Sequence, residues 1–92
     1  MRIQWDENKR KYVLEKRGID FAKINELLYL PYIEDQRNEE PEQYRIIGFA
    51  EGRLMTYIIE YRHDEVGEYI WVVTAWHSTT QEQRDYEQET RI

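Results

Sequence analysis

The 92-residue chain is 40% hydrophobic and 14% aromatic, enough apolar mass for one globular domain and too much for a disordered chain. Nineteen Asp and Glu against 13 Lys and Arg leave a formal net charge of -6, so a contact with a phosphate backbone has to come from a local basic cluster and not from the overall field. The absence of Cys excludes disulfides, thiolate chemistry and the usual structural zinc sites, and makes the cytoplasm the expected compartment.

Residues 1–92 read as a single domain. Met1 to Trp5 leads straight into Asp6-Glu7-Asn8-Lys9, which is not a signal-type start. The apolar runs are far shorter than the roughly 20 residues needed to cross a bilayer, so no membrane contact is expected. Arg2-Ile3-Gln4-Trp5 alternates like a short strand. Asp6 then reads as the N-cap of a helix from Glu7 to about Arg17, stopped by Gly18 and docked through Tyr12 and Val13. Asp20 reads as the cap of a second helix, Phe21 to Leu28, whose Phe21, Ile24, Leu27 and Leu28 form an apolar stripe at helical spacing; Pro31 ends it.

The acidic stretch from Glu34 to Glu42 reads as a solvated loop. From Tyr44 the period becomes two. Tyr44–Ala50 and Arg53–Tyr61 flank the compact connection Glu51-Gly52, and Tyr69–Trp76 follows a second connection, which predicts a three-strand antiparallel meander. Parity puts Trp71 and Trp76 on opposite faces of a regular strand. Thr79 and Glu82 make a capping box for a last helix reaching about Glu89, with only Tyr86 and Ile92 offering bulk to bury. The expected fold class is therefore α+β, with two N-terminal helices packed on an antiparallel sheet and a C-terminal helix.

Metal chemistry finds no motif. His63 and His77 lie in separate segments with no Glu placed as in HExxH, and no cofactor-binding pattern is present. Ser78, the only Ser, sits beside His77 and not in a nucleophile elbow. With 19 carboxylates, acidic pairs are unavoidable and their separation is not legible. Phosphate chemistry is the more plausible direction, since metal-free RNA cleavage needs cations at the phosphoryl oxygens and acid-base groups at the 2'-hydroxyl and the leaving oxygen. Arg45, Arg53, Arg62 and His63 lie on or beside the meander, while His77 and Arg84 lie beyond its last strand. Each Arg is equally readable as an ordinary outward-facing sheet residue. Trp76, at a strand end, is a candidate stacking surface for a base.

Trp5-Asp6-Glu7-Asn8-Lys9, Lys16-Arg17-Gly18-Ile19-Asp20-Phe21, Arg45-Ile46-Ile47-Gly48 with Gly52-Arg53-Leu54, and Trp71 through Tyr86 follow one another in an order that resembles the BrnT family of type II toxin-antitoxin toxins. The resemblance covers nearly the whole chain. It implies a RelE-like fold, ribonuclease activity, and neutralisation by a BrnA-like antitoxin that binds DNA, so that the toxin meets DNA only through the complex. Arg45, Arg62 and His77 match basic positions and are the expected catalytic residues, with Arg53, Trp76 and Arg84 as expected RNA contacts. Trp71 and Trp76 stand where the family pattern has Arg, and a Trp cannot make the bidentate phosphate contact of a guanidinium. The alternative expectation is a catalytically weakened binding protein that pairs with an antitoxin and contributes to operon regulation. Homodimerisation is compatible with either.

Overall fold

The computed structural model describes residues 1–91. Strand β1, Arg2–Trp5, ends at Asp6, whose carboxylate accepts the amides of Asn8 and Lys9 and so caps helix α1, Glu7–Arg17. Gly18 stops α1 at φ 70°, where a Cβ would be strained, and its N–H returns to the Leu14 carbonyl. Val13 is buried, whereas Tyr12 stays exposed.

The second helix is shorter than its stripe predicts. Asp20 caps a 3-10 turn, Phe21–Lys23, which runs into one α-helical turn, α2, Ile24–Leu27. The amides of Tyr29 and Leu30 then bond three residues back, to Glu26 and Leu27, tightening the chain before Pro31. Phe21, Ile24 and Leu27 are nonetheless fully buried, and at this length burial of the stripe, not propensity, stabilises the helix.

The expected loop over 34–42 is instead most of a hairpin. Strand β2, Tyr32–Glu39, turns at Glu40 and Pro41 into β3, Glu42–Ala50. Only Ile33 of β2 is buried, so this edge strand carries no apolar alternation; its ladder to β3 and the cross-strand pair Asp35 and Arg45 hold it. Charged side chains and a register irregularity between Gln36 and Asn38 are features that blunt an open sheet edge. Strands β4, Arg53–His63, and β5, Glu68–His77, complete the meander as expected, and helix α3, Thr80–Thr90, follows. Ile92, expected to help anchor that helix, lies outside the described residues.

The five strands order β1-β5-β4-β3-β2, and β1 runs parallel to β5 while all other neighbours are antiparallel. The sheet is therefore mixed, not purely antiparallel, within an α+β architecture of three helices. Helices α1 and α2 cover the face that carries Ile46, Tyr57, Ile59, Ile70, Val72 and Ala75. Helix α3 lies on the other face, against β2 and β3, where Ile33, Ile47, Thr56 and Ile58 are buried beneath it and its neighbours. Glu51 and Gly52, both at positive φ, make the tight β3–β4 turn.

A β-bulge in β5 overturns the parity argument for the tryptophans. Ile58 faces Thr74 while its neighbour Ile59 faces Val72, so Val73 is an extra residue. Trp71 opposite Glu60 and Trp76 opposite Thr56 consequently share one face, the α3 face.

Candidate functional site

Helix α3 is locked to the sheet by a buried carboxylate. Glu82, 7% exposed, accepts through Oε1 from the Thr56 hydroxyl (3.0 Å), the Trp76 indole N–H (2.9 Å) and the Thr79 amide (2.9 Å). Thr56 spends its one hydroxyl hydrogen on Glu82, so the 2.8 Å contact with Ser78 requires Ser78 to donate. The Thr79 hydroxyl accepts the Glu82 amide and completes the capping box. Trp76 is thereby a structural neighbour of α3, with the Arg37 guanidinium 5.5 Å above its ring.

The expected cations separate into distinct places. Arg45 is clamped by Asp35 from β2, with Nε to Oδ1 at 2.9 Å and a second, shorter contact, and by Asp85 from α3 at 3.3 Å. The Asp35 hydrogen bonds, more than Asp85, raise the Arg45 pKa further and hold its charge where it is. Arg62 bonds Glu60 at 3.0 and 2.7 Å and stacks 4.3 Å over Trp71. Burial pushes the Glu60 carboxyl up, but hydrogen bonds from Gln43 and Arg62 outweigh it and leave the group lowered. Arg62 pairs with Tyr69, and His77 with Met55, seven positions away along β4, or roughly 20 Å at the rise of a strand. Arg62 and His77 therefore do not reach one phosphate together in a single molecule.

What does converge is a hollow of about 490 Å³ beside α3, within the range of small-molecule sites. The β3–β4 turn sets Arg53 at its rim and puts Phe49 beside Leu54; Tyr86 from α3 meets the Phe49 ring edge-on at 5.6 Å. These three apolar side chains form the floor. The end of β5 brings His77 to the rim, and Gln83, Tyr86 and Glu87 share one side of α3 at helical spacing. His77 Nε2 lies 3.0 Å from the Arg17 carbonyl oxygen, which can only accept, so Nε2 carries the hydrogen and Nδ1 is the nitrogen left to exchange a proton. Arg17 in turn donates to the Ala75 carbonyl (2.8 Å) and the Thr74 hydroxyl (3.3 Å), covering the edge of β5 beyond the end of β1.

The remaining polar side chains of the hollow each make at least one hydrogen bond within the protein. Ser78 donates to Thr56, Gln83 donates to the Ser78 carbonyl (3.2 Å), and the Tyr86 hydroxyl donates to the Pro31 carbonyl (2.8 Å). Arg53, His77 Nδ1 and Glu87 line the hollow without a side-chain hydrogen bond or ion pair among the described residues. Glu87 was not singled out in the sequence, where it is one of 19 acidic residues with no distinguishing spacing. Arg84 stands one helical turn before Glu87 and, with Glu87, Gln88 and Arg91, lines a second, smaller hollow that shares Glu87 with the first. Among the described residues no group of three or more His, Asp and Glu is placed to hold a metal ion, and no helix is long and apolar enough to cross a membrane.

Compared with known proteins, the chain matches no family model and no curated relative.

Proposed function

We propose that this protein cleaves RNA without a metal, at the hollow beside α3, in the manner of a type II toxin with a RelE-like, BrnT-like scaffold. The observation that carries the reading is the convergence of His77 and Arg53 over an aromatic floor. His77 supplies proton transfer from an imidazole steadied by the Arg17 carbonyl. Arg53 supplies positive charge where the phosphorane develops negative charge, and Phe49 and Tyr86 offer ring surface to a base. Arg84 extends the track along α3. Arg45, despite the resemblance that nominated it, serves the scaffold.

The net charge of -6 suits a basic protein partner, steering a BrnA-like antitoxin to the surface and leaving DNA contact to that partner. In this reading the protein works in the cytoplasm, and self-association is not required for the chemistry.

Purified protein is expected to cleave single-stranded RNA in excess EDTA, with Trp fluorescence and circular dichroism confirming a folded state. His77→Ala is expected to lower kcat by about 10²- to 10⁴-fold, the usual worth of a proton-transfer group. Arg53→Ala is expected to lower it by about 10²-fold. Folded wild-type protein that leaves every RNA intact, while binding the protein encoded beside its gene, would instead establish the second reading, an antitoxin-pairing protein without catalysis. The ion pairs that occupy Arg45 and Arg62 favour that second reading.

A further inference from the structure

We infer that one flank of α1, away from the hollow, is a binding site for single-stranded RNA, with Lys9 and Lys16 on two phosphates and Tyr12 against a base between them. The charge of the chain is divided unevenly along it. Residues 1–23 hold seven Lys and Arg, among them all four Lys, against four Asp and Glu, a net of +3. Residues 24–92 hold six Arg against 15 Asp and Glu, a net of -9. Every residue of the hollow beside α3 belongs to this acidic part, so a polyanion reaching it gains little from the surrounding field and needs purchase elsewhere. Helix α1 reverses the balance, with five Lys and Arg against two Glu over Glu7–Arg17.

Two of those five cations are committed. Arg10 pairs with Glu7 and Asp20, and Arg17 donates to the Ala75 carbonyl and the Thr74 hydroxyl. Lys9, Lys11 and Lys16 are exposed, and their side chains make no ion pair or hydrogen bond among the described residues, although the protein carries a surplus of carboxylates. Seven positions apart, Lys9 and Lys16 lie on one side of the helix, about 10 Å from one another along its axis. Tyr12 stands between them, three residues after one and four before the other, 55% exposed and with its hydroxyl free of any hydrogen bond among the described residues. Val13 turns to the core, Arg10 and Arg17 occupy the other flank, and Lys11 points well away from Lys9 and Lys16.

An ammonium, an aromatic face and a second ammonium in a row match the repeat of an unpaired strand: phosphate, base, phosphate. That match favours RNA over other polyanions. An anionic bilayer would need Tyr12 and Leu14, the large exposed apolar side chains of α1, to enter together, and they stand about 160° apart around the helix. An acidic protein surface would pair the lysines and leave the Tyr12 ring unused. The identity of the strand rests on the ribonuclease reading, and the fold connects the two sites. The C-terminal end of α1 reaches the rim of the hollow, where the Arg17 carbonyl holds His77. A strand seated in the hollow and running past His77 therefore meets Lys16 first, then Tyr12 and Lys9. Contacts to backbone and to a ring face carry no base preference.

The test is fluorescence anisotropy with a labelled uridine strand of about 12 nucleotides, titrated with the full chain carrying His77→Ala so that the probe is held and not consumed. Lys9→Gln together with Lys16→Gln should weaken binding about 25-fold at about 0.1 M salt and flatten the dependence of log affinity on log salt by about 1.4, the release of two counterions at roughly 0.7 each. Tyr12→Ala should weaken it by about 5- to 150-fold, the worth of one stacked base. Lys11→Gln together with Lys23→Gln removes the same charge from other places, Lys23 being paired with Glu26 and Glu51, and should weaken binding by less than about threefold. Circular dichroism should be the same for all. Equal losses from the two double variants would reveal a general field effect and overturn the site, and so would an unchanged salt slope. A duplex RNA bound as tightly as the single strand, or an unaffected Tyr12→Ala protein, overturns the stacking of a base. Cleavage by wild type alongside such results leaves the ribonuclease reading standing. A wild type that holds RNA through Lys9 and Lys16 and cleaves none overturns that reading alone.

Discussion

Replacing Glu82 by Ala removes the acceptor on which three donors from three elements converge: Thr56 of β4, Trp76 of β5 and Thr79 at the start of α3. Thr56 is fully buried and its hydroxyl has no second acceptor to turn to except Ser78, which itself must then re-orient. Hydrogen bonds to a charged acceptor are worth about 1.5–3 kcal/mol each. Removing a buried carboxylate also removes its desolvation cost, and water can reach the exposed amide of Thr79, so the net loss is about 2–4 kcal/mol. A chain of this length has total stability of about 5–14 kcal/mol, so the loss is a large fraction of it. Glu82→Gln keeps an oxygen acceptor in place and should cost about 1 kcal/mol. Urea unfolding followed by Trp fluorescence reads both variants through their midpoints. A Glu82→Ala protein within 0.5 kcal/mol of wild type, or a Gln variant as unstable as the Ala variant, would refute the reasoning, because the acceptor would then not be what holds α3 on the sheet.

Gly48→Ala should destabilise by about 1–3 kcal/mol through overpacking, since its Cβ would stand 2.9 Å from Leu27 Cγ and 3.0 Å from Tyr32 Cβ; in a Leu27→Ala background the added cost should largely disappear, and additive losses in urea would count against it. Arg45→Ala should cost about 1–3 kcal/mol by leaving Asp35 and Asp85 facing one another, and should lower RNA cleavage far less than Arg53→Ala does; the reverse order would return Arg45 to the active site. Hydrogen bonds from Arg2 hold the Asp64 carboxyl down to about 2 from the usual 3.8, helped by the Val66 and Gly67 amides. A carboxyl lowered in the folded state stabilises above its unfolded pKa and loses that contribution as pH falls through the folded value, so wild type should lose stability between about pH 4 and pH 2. Asp64→Asn should lose less over that interval, and equal pH slopes would refute the link. Phe21→Ala should cost about 3–5 kcal/mol by opening a cavity beneath α2, measured by the same unfolding curves.

Local chemistry made much of the chain legible before any tertiary contact was considered. Asp6, Gly18, Asp20 and the pair Thr79 and Glu82 announce helix ends because each acts on amides or dihedrals within a few residues of itself. The meander strands were legible as runs of β-branched and aromatic residues between turn residues, because strands covered on both faces, as β4 is from Met55 to Ile59, select such residues at successive positions. Strand β2 was not legible, since an edge strand with one buried side chain is held by its partner's backbone and an ion pair to Arg45, neither of which leaves a periodic mark. The length of α2 and the direction of β1 were likewise set by packing and by the course of the chain.

The candidate site divides the same way. Basic residues and the strand-end histidines could be named from the sequence as phosphate-directed groups, and His77 and Arg53 do meet at one hollow. Which cations were free to act was a tertiary matter: Asp35 and Asp85 come from elements far apart in sequence to clamp Arg45, and the length of β4 separates Arg62 from His77. One extra residue in β5 reversed the facing of Trp71 relative to Trp76, because strand parity counts residues only as long as the ladder is regular. Glu87 became distinguishable from the other carboxylates only when folding had placed it at the hollow beside Gln83 and Tyr86, which bond elsewhere, since a side chain's availability depends on its neighbours in space and the sequence states only its neighbours in the chain.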